Sequence, residues 1–94
     1  MELELKFFAS FREAVGQKTI QREYDGTSIT VGEVLRQLES EFEGLEGDIL
    51  DDDGDIRDML TVLKNGREVV HLDGTATVLE DGDALSVFPP VAGG

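Results

Sequence analysis

Residues 30–42 read TVGEVLRQLESEF, and this stretch decides the fold. Thr30 stands three places before Glu33, the spacing of a capping box, while Val31, Val34, Leu35, Leu38 and Phe42 recur at the helical period. The pattern predicts one amphipathic helix, capped at Thr30 and ended near Gly44. A helix with a single apolar stripe needs one covering layer, and the flanking sequence supplies it as strands.

On the N-terminal side, Leu3, Leu5 and Phe7 alternate with Glu2, Glu4, Lys6 and Phe8, which predicts a strand over Glu2–Phe8 with one buried face. Ser10 precedes Glu13 at capping-box spacing and Gly16 follows Val15, so Phe11–Val15 is expected as a short helical turn. Lys18–Tyr24 reads as a second strand, at a sheet edge, closed by Asp25-Gly26.

On the C-terminal side, residues 44–58 turn acidic and irregular, with Leu45, Ile49, Leu50 and Ile56 as occasional apolar anchors. Thr61–Lys64 and Arg67–Val70 flank Asn65-Gly66, the dipeptide that supplies the two positive φ angles of a type I′ hairpin turn. Glu80-Asp81-Gly82-Asp83 makes another turn, and Ala84–Phe88 a last short strand stopped by Pro89-Pro90. The order β, β, α, β, β, β is that of an α+β fold, a mixed sheet of about five strands with the helix across one face. The helix supplies a crossover, so the first and last strands are expected side by side and parallel.

The 94 residues suffice for one domain, placed at 1–88, and a tail at 89–94 expected to be flexible. There are 21 acidic against 8 basic residues, a net charge of −13 that disfavours nucleic acids and anionic membranes as partners. With no Cys there is no disulfide framework and no thiol nucleophile. Charged residues interrupt Met1–Phe11, which therefore lacks the run of a signal peptide, and a cytoplasmic protein is expected. An acidic, lysine-poor surface that salt must screen fits a halophilic source.

The chemistry lies at the end of the chain. Pro89-Pro90 holds the backbone extended, and Val91-Ala92-Gly93-Gly94 carries no charged or bulky side chain. Glycine enters narrow channels closed to other residues, which suits a carboxylate that another protein's active site must reach. Transfer of the Gly94 carboxylate oxygen onto the α-phosphorus of ATP would give an acyl-adenylate, from which sulfur or nitrogen displaces AMP. The alternative is that a terminal Gly-Gly is simply a frayed end.

The stretch Leu85-Ser86-Val87-Phe88-Pro89-Pro90-Val91-Ala92-Gly93-Gly94 resembles the C-terminal signature of the MoaD and small archaeal modifier protein family. Phe7-Phe8-Ala9-Ser10-Phe11-Arg12-Glu13, Val62-Leu63-Lys64-Asn65-Gly66 and Glu80-Asp81-Gly82-Asp83 resemble its opening strand, hairpin and final turn. The resemblance implies a β-grasp, ubiquitin-like fold. It also implies a protein that is not an enzyme and binds no cofactor, but is adenylated by an E1-like enzyme using ATP and magnesium. Two fates follow from it: a thiocarboxylate that donates sulfur in molybdopterin synthesis or tRNA thiolation, and an isopeptide bond to lysines of target proteins. Ala92 departs from the Ser of many relatives, a loss of one hydrogen bond of about 1 kcal/mol in a partner's channel.

Phe8 and Phe88 fall on the strand faces opposite Leu5 and Val87, where they are expected to form an apolar patch beside the tail. That patch would dock the activating enzyme or a MoaE-type molybdopterin synthase large subunit. Lys6, Lys18 and Lys64 are candidate acceptors for a second copy, unranked by sequence. Asp51, Asp52, Asp53 and Asp55 lack the Gly and Glu of a calcium loop and His71 stands alone, so no metal site is expected. The reading from a different class is a non-covalent interaction module, or a molybdopterin synthase small subunit that never modifies proteins.

Overall fold

The computed structural model describes residues 1–90; Val91, Ala92, Gly93 and Gly94, and with them the readings placed on the tail's end, lie outside the described residues. Alternation over Glu2–Phe7 builds strand β1, burying Leu3, Leu5 and Phe7. After it come helix α1 (Ala9–Val15), β2 (Thr19–Glu23), β3 (Ser28–Thr30) and helix α2 (Val31–Glu41). The C-terminal half adds β4 (Thr61–Lys64), β5 (Arg67–Glu68), β6 (Val78–Glu80) and β7 (Ala84–Phe88), with 3-10 turns at Glu43–Leu45, Val69–His71 and Gly74–Ala76.

Five strands form one mixed sheet in the order β2-β1-β7-β4-β5, with β1 and β7 parallel at its centre. The register sets Leu5 beside Leu85 and Phe7 beside Val87, so both central strands turn apolar side chains to the same face. Helix α2 covers that face with Val31, Val34, Leu35 and Leu38, all fully buried, and Thr30 Oγ1 accepts the Glu33 N–H at 3.2 Å as the capping pattern predicts. This is the β-grasp arrangement, α+β. No helix among the described residues is long and apolar enough to cross a membrane.

The local differences from the sequence reading have physical causes. Helix α1 begins at Ala9 and has no side-chain cap, so Ser10 and Glu13 do not form a capping box. Ala9 turns the chain with φ +53°, and the Phe8 carbonyl receives the N–H groups of Phe11 and Arg12, which leaves Ser10 already inside the first turn. Gly16 closes the helix at φ +86°, as expected. The hairpin turn has positive φ at Asn65 and Gly66, but its second strand stops at Glu68 because Val69 folds inward to full burial. Strands β3 and β6 pair as a separate two-stranded sheet, too short for periodicity to reveal.

Residues 46–58 are irregular yet firmly tied. The Glu39 carboxylate accepts three backbone N–H groups, Gly47 at 2.9 Å, Ile49 at 3.1 Å and Leu50 at 2.6 Å. Leu45, Ile49 and Leu50 are buried and Ile56 is half-buried, so all four anchors pack on the core. Asp51 accepts the N–H groups of Asp53 and Asp55, a self-contained turn rather than an ion loop. Among the described residues no cluster of three or more His, Asp or Glu could hold a metal.

Candidate functional site

With Phe7 and Val87 in the core, the next residues on both central strands face the other way, and Phe8 and Phe88 meet on the helix-free side. Their rings stack with centroids 4.0 Å apart and planes 8° from parallel. The predicted aromatic pair is therefore formed, half-buried, where β7 gives way to Pro89 and Pro90. Antiparallel pairing of β4 with β7 sets Thr61 beside Phe88 and Leu63 beside Ser86, extending the same face.

A groove opens here between the Phe8–Phe88 pair, Leu63, Met59 and the two prolines, with Ala9 and Ser10 at one end. None of its lining residues is charged, on a chain in which 31% of residues are. An uncharged strip of this kind stands out on a highly charged surface. Sequence reading placed Phe8, Phe88 and the two prolines here and missed the other lining residues, among them Met59, which is 75% exposed. It lies at the end of the irregular connection, where no period announces which residues return to the sheet.

Away from the groove the surface becomes ionic. Lys6 sits 3.2 Å from Glu4, whose carboxyl is held below its usual value by that ammonium and by a hydrogen bond from Gln21. Arg22 on β2 bonds both carboxylate oxygens of Glu41 on α2, one at 2.8 Å, a bidentate clamp that holds the Glu41 carboxyl low and ties the sheet's edge to the helix. Burial pushes the Asp83 carboxyl up, but the Glu80 N–H, the Asn65 amide and Lys64 together outweigh it and hold it low.

The structure separates the candidate lysines. Lys64 is a tie between elements: its Nζ donates to the Val78 carbonyl at 2.8 Å and lies 3.8 Å from Asp83. Lys6 is paired with Glu4. Lys18 is exposed, and among the described residues its side chain makes no ion pair. His71 is exposed, with Glu68 at 3.5 Å.

A model of the ThiS family matches residues 5–94. Small archaeal modifier protein 3 of Haloferax volcanii is 64% identical over all 94 residues of both chains. Small archaeal modifier protein 1 of the same organism is 38% identical over 92 residues, 98% of this chain and 100% of that one. Sulfur carrier protein CysO of Mycobacterium tuberculosis is 31% identical over 81 residues, 84% of this chain and 83% of its own. Among solved structures, that of the Haloferax volcanii HVO 2177 protein superposes with TM-score 0.88 at 64% identity, covering 100% of this chain and 87% of that one. The Amycolatopsis orientalis BexX/CysO complex matches with TM-score 0.78 at 26% identity, covering 98% and 99%.

Proposed function

The chain belongs to the ThiS family, among its small archaeal modifiers, and from that premise we propose that Gly94 is the group an E1-like enzyme activates. As a ubiquitin-like modifier or sulfur carrier the protein is itself a substrate, not an enzyme. The Gly94 carboxylate attacks the α-phosphorus of ATP and expels pyrophosphate, leaving an acyl-adenylate. A sulfur nucleophile or a target lysine amine then takes the acyl group and releases AMP. Gly93 keeps the approach slender, and Val91 and Ala92 add no charge for the enzyme's channel to desolvate. ATP and magnesium belong to the enzyme, not to this chain.

The observation that carries this reading is the uncharged groove at the base of the tail. An enzyme that holds the Gly94 carboxylate must sit against Pro89 and Pro90, because four extended residues reach at most about 14 Å. The stacked Phe8–Phe88 pair is the apolar anchor within that reach. The CysO found in complex with BexX supports a mode of action through a protein partner. A MoaE-type large subunit would use the same face for the sulfur-transfer fate. Both fates have support, since the relatives include protein modifiers and sulfur carriers alike.

The test is an intact-mass spectrum after incubation with ATP, magnesium, a sulfur source and the host's E1-like enzyme, beside a search of lysates for lysines bearing the Gly94 tail. Exchange of one oxygen for sulfur, or such lysine adducts, is expected, and deletion of Gly93 and Gly94 should remove both without changing Tm. Unchanged mass and no adducts, with a positive control working, would leave the non-covalent module reading in place.

A further inference from the structure

Strand β2 closes one side of the five-stranded sheet, and among the described residues it pairs only with β1. The Tyr24 N–H reaches the Met1 carbonyl at 2.8 Å and the Phe7 N–H reaches the Lys18 carbonyl at 2.8 Å, which fixes the phase of that pairing. Backbone groups alternate in direction along an antiparallel strand, so Ile20 and Arg22 also turn theirs toward β1. Thr19, Gln21 and Glu23 therefore point N–H and C=O outward, unpaired among the described residues. The opposite edge, β5, is only two residues long and stops where Val69 folds inward.

Exposed strand edges invite another strand, and proteins blunt them with proline, a bulge or an inward-pointing charge. Strand β2 has no Pro or Gly, its register with β1 runs unbroken, and Arg22, the charge on its helix side, is neutralised by Glu41. The residues along the edge say which strand fits it. When β2 meets the β2 of a second copy antiparallel about a two-fold axis at Gln21, Thr19 stands opposite Glu23, Ile20 opposite Arg22, and Gln21 opposite itself. Every outward N–H and C=O then finds a partner, and no like charges stand directly opposite. A slip of two residues either way, the smallest that keeps the outward groups in phase, sets Lys18 against Arg22 or Arg22 against itself. Like charges directly opposite are destabilising, so one register is selected.

We infer that β2 is a self-association edge, joining two copies of this chain into a two-fold dimer with one continuous sheet. The contact consumes the long edge of both copies and leaves only the short β5 edges, so assembly stops at two. Each copy carries a net charge of −13, which opposes association until salt shortens the Debye length from about 10 Å at 0.1 M to about 3 Å at 1 M. Strand β2 contributes no residue to the Phe8–Phe88 groove, so self-association and enzyme docking use separate surfaces.

Sedimentation equilibrium of the full chain at about 0.1 and 1 M KCl, beside amide hydrogen exchange at about 10 µM and 1 mM protein, tests this. The dimer dissociation constant should be at least about tenfold smaller at the higher salt. There, exchange at the Thr19, Gln21 and Glu23 N–H groups should slow about tenfold at the higher protein concentration. Gln21→Pro removes the outward N–H at the two-fold axis from both copies, at an edge position that tolerates proline. It should abolish the dimer and keep Tm within about 5 °C of the parent. A dimer that survives Gln21→Pro lies on another face and overturns the inference, as does a monomer at both salts at about 1 mM. If Gln21→Pro melts more than about 5 °C lower, exchange in the parent chain decides, and rates at these three amides that ignore protein concentration refute the dimer.

Discussion

Replacing Glu39 by Ala should cost about 2–4 kcal/mol, more than any other exposed or half-exposed carboxylate on the chain, and the figure follows from where its three bonds go. Oε1 accepts from Gly47, which is exposed, so water takes over that N–H at little cost. Oε2 accepts from Ile49 and Leu50, residues 0% and 8% exposed, whose N–H groups would be left without a partner. An orphaned buried donor costs about 1–3 kcal/mol, so two give the range stated after partial relaxation. A domain of this size has a total stability of roughly 5–15 kcal/mol, and the loss would appear as a Tm drop of about 10–25 °C. Glu39→Gln keeps one carbonyl oxygen, which can serve the Ile49–Leu50 pair, and should cost only about 1 kcal/mol. Urea melts of the three proteins at one fixed high salt concentration measure this directly. Equal losses for Ala and Gln, or an Ala variant within about 0.5 kcal/mol of the parent, would refute the argument that orphaned donors set the cost.

The remaining predictions concern charge and close contact. Glu41 has its carboxyl held low by Arg22, so the stability it contributes is complete above the usual glutamate range of about 4–5 and is lost as pH falls through the lower folded value. Glu41→Gln should therefore flatten the acid limb of the stability–pH curve, and an unchanged limb would assign that limb to other carboxylates. Raising KCl from about 0.1 to 1 M should raise Tm, because the Debye length shrinks from about 10 to 3 Å across a surface of net charge −13; a flat response would show that the repulsion is already balanced locally. Gly44→Ala should cost about 1–3 kcal/mol by urea melt, since its Cβ would lie 2.8 Å from that of Ala14 and 3.3 Å from the Ala14 backbone. In self-conjugation assays followed by peptide mapping, Lys18 should carry most of the product, and a majority on Lys64 would mean that its tie to Val78 opens in solution.

Much of this was legible in sequence because strong patterns carried it. The 30–42 stripe gave the helix, the alternation of Leu3, Leu5 and Phe7 gave the buried face, and Asn65-Gly66 gave the hairpin. From these the parallel pairing of the first and last strands and the meeting of Phe8 with Phe88 followed by topology alone. What escaped was whatever depends on one side chain in an unpatterned setting. Strands β3 and β6 span only three residues each, and Ser10 matched a capping spacing that the left-handed turn at Ala9 made irrelevant. Glu39, facing a loop instead of a strand, looked like an ordinary surface charge on its helix. Met59 gave no signal, because an exposed apolar residue in a connection has no period to betray it.

The parallel pairing of β1 with β7 has a consequence for synthesis. The aromatic pair is contributed half by the opening strand and half by the closing one, so a nascent or truncated chain possesses Phe8 but no groove. Closure of the central sheet waits for the last strand, a long-range contact of the kind that makes folding slow. Display of this face therefore reports a chain made at least as far as Pro90. A partner that bound this face would thereby pass over chains that stop short of β7.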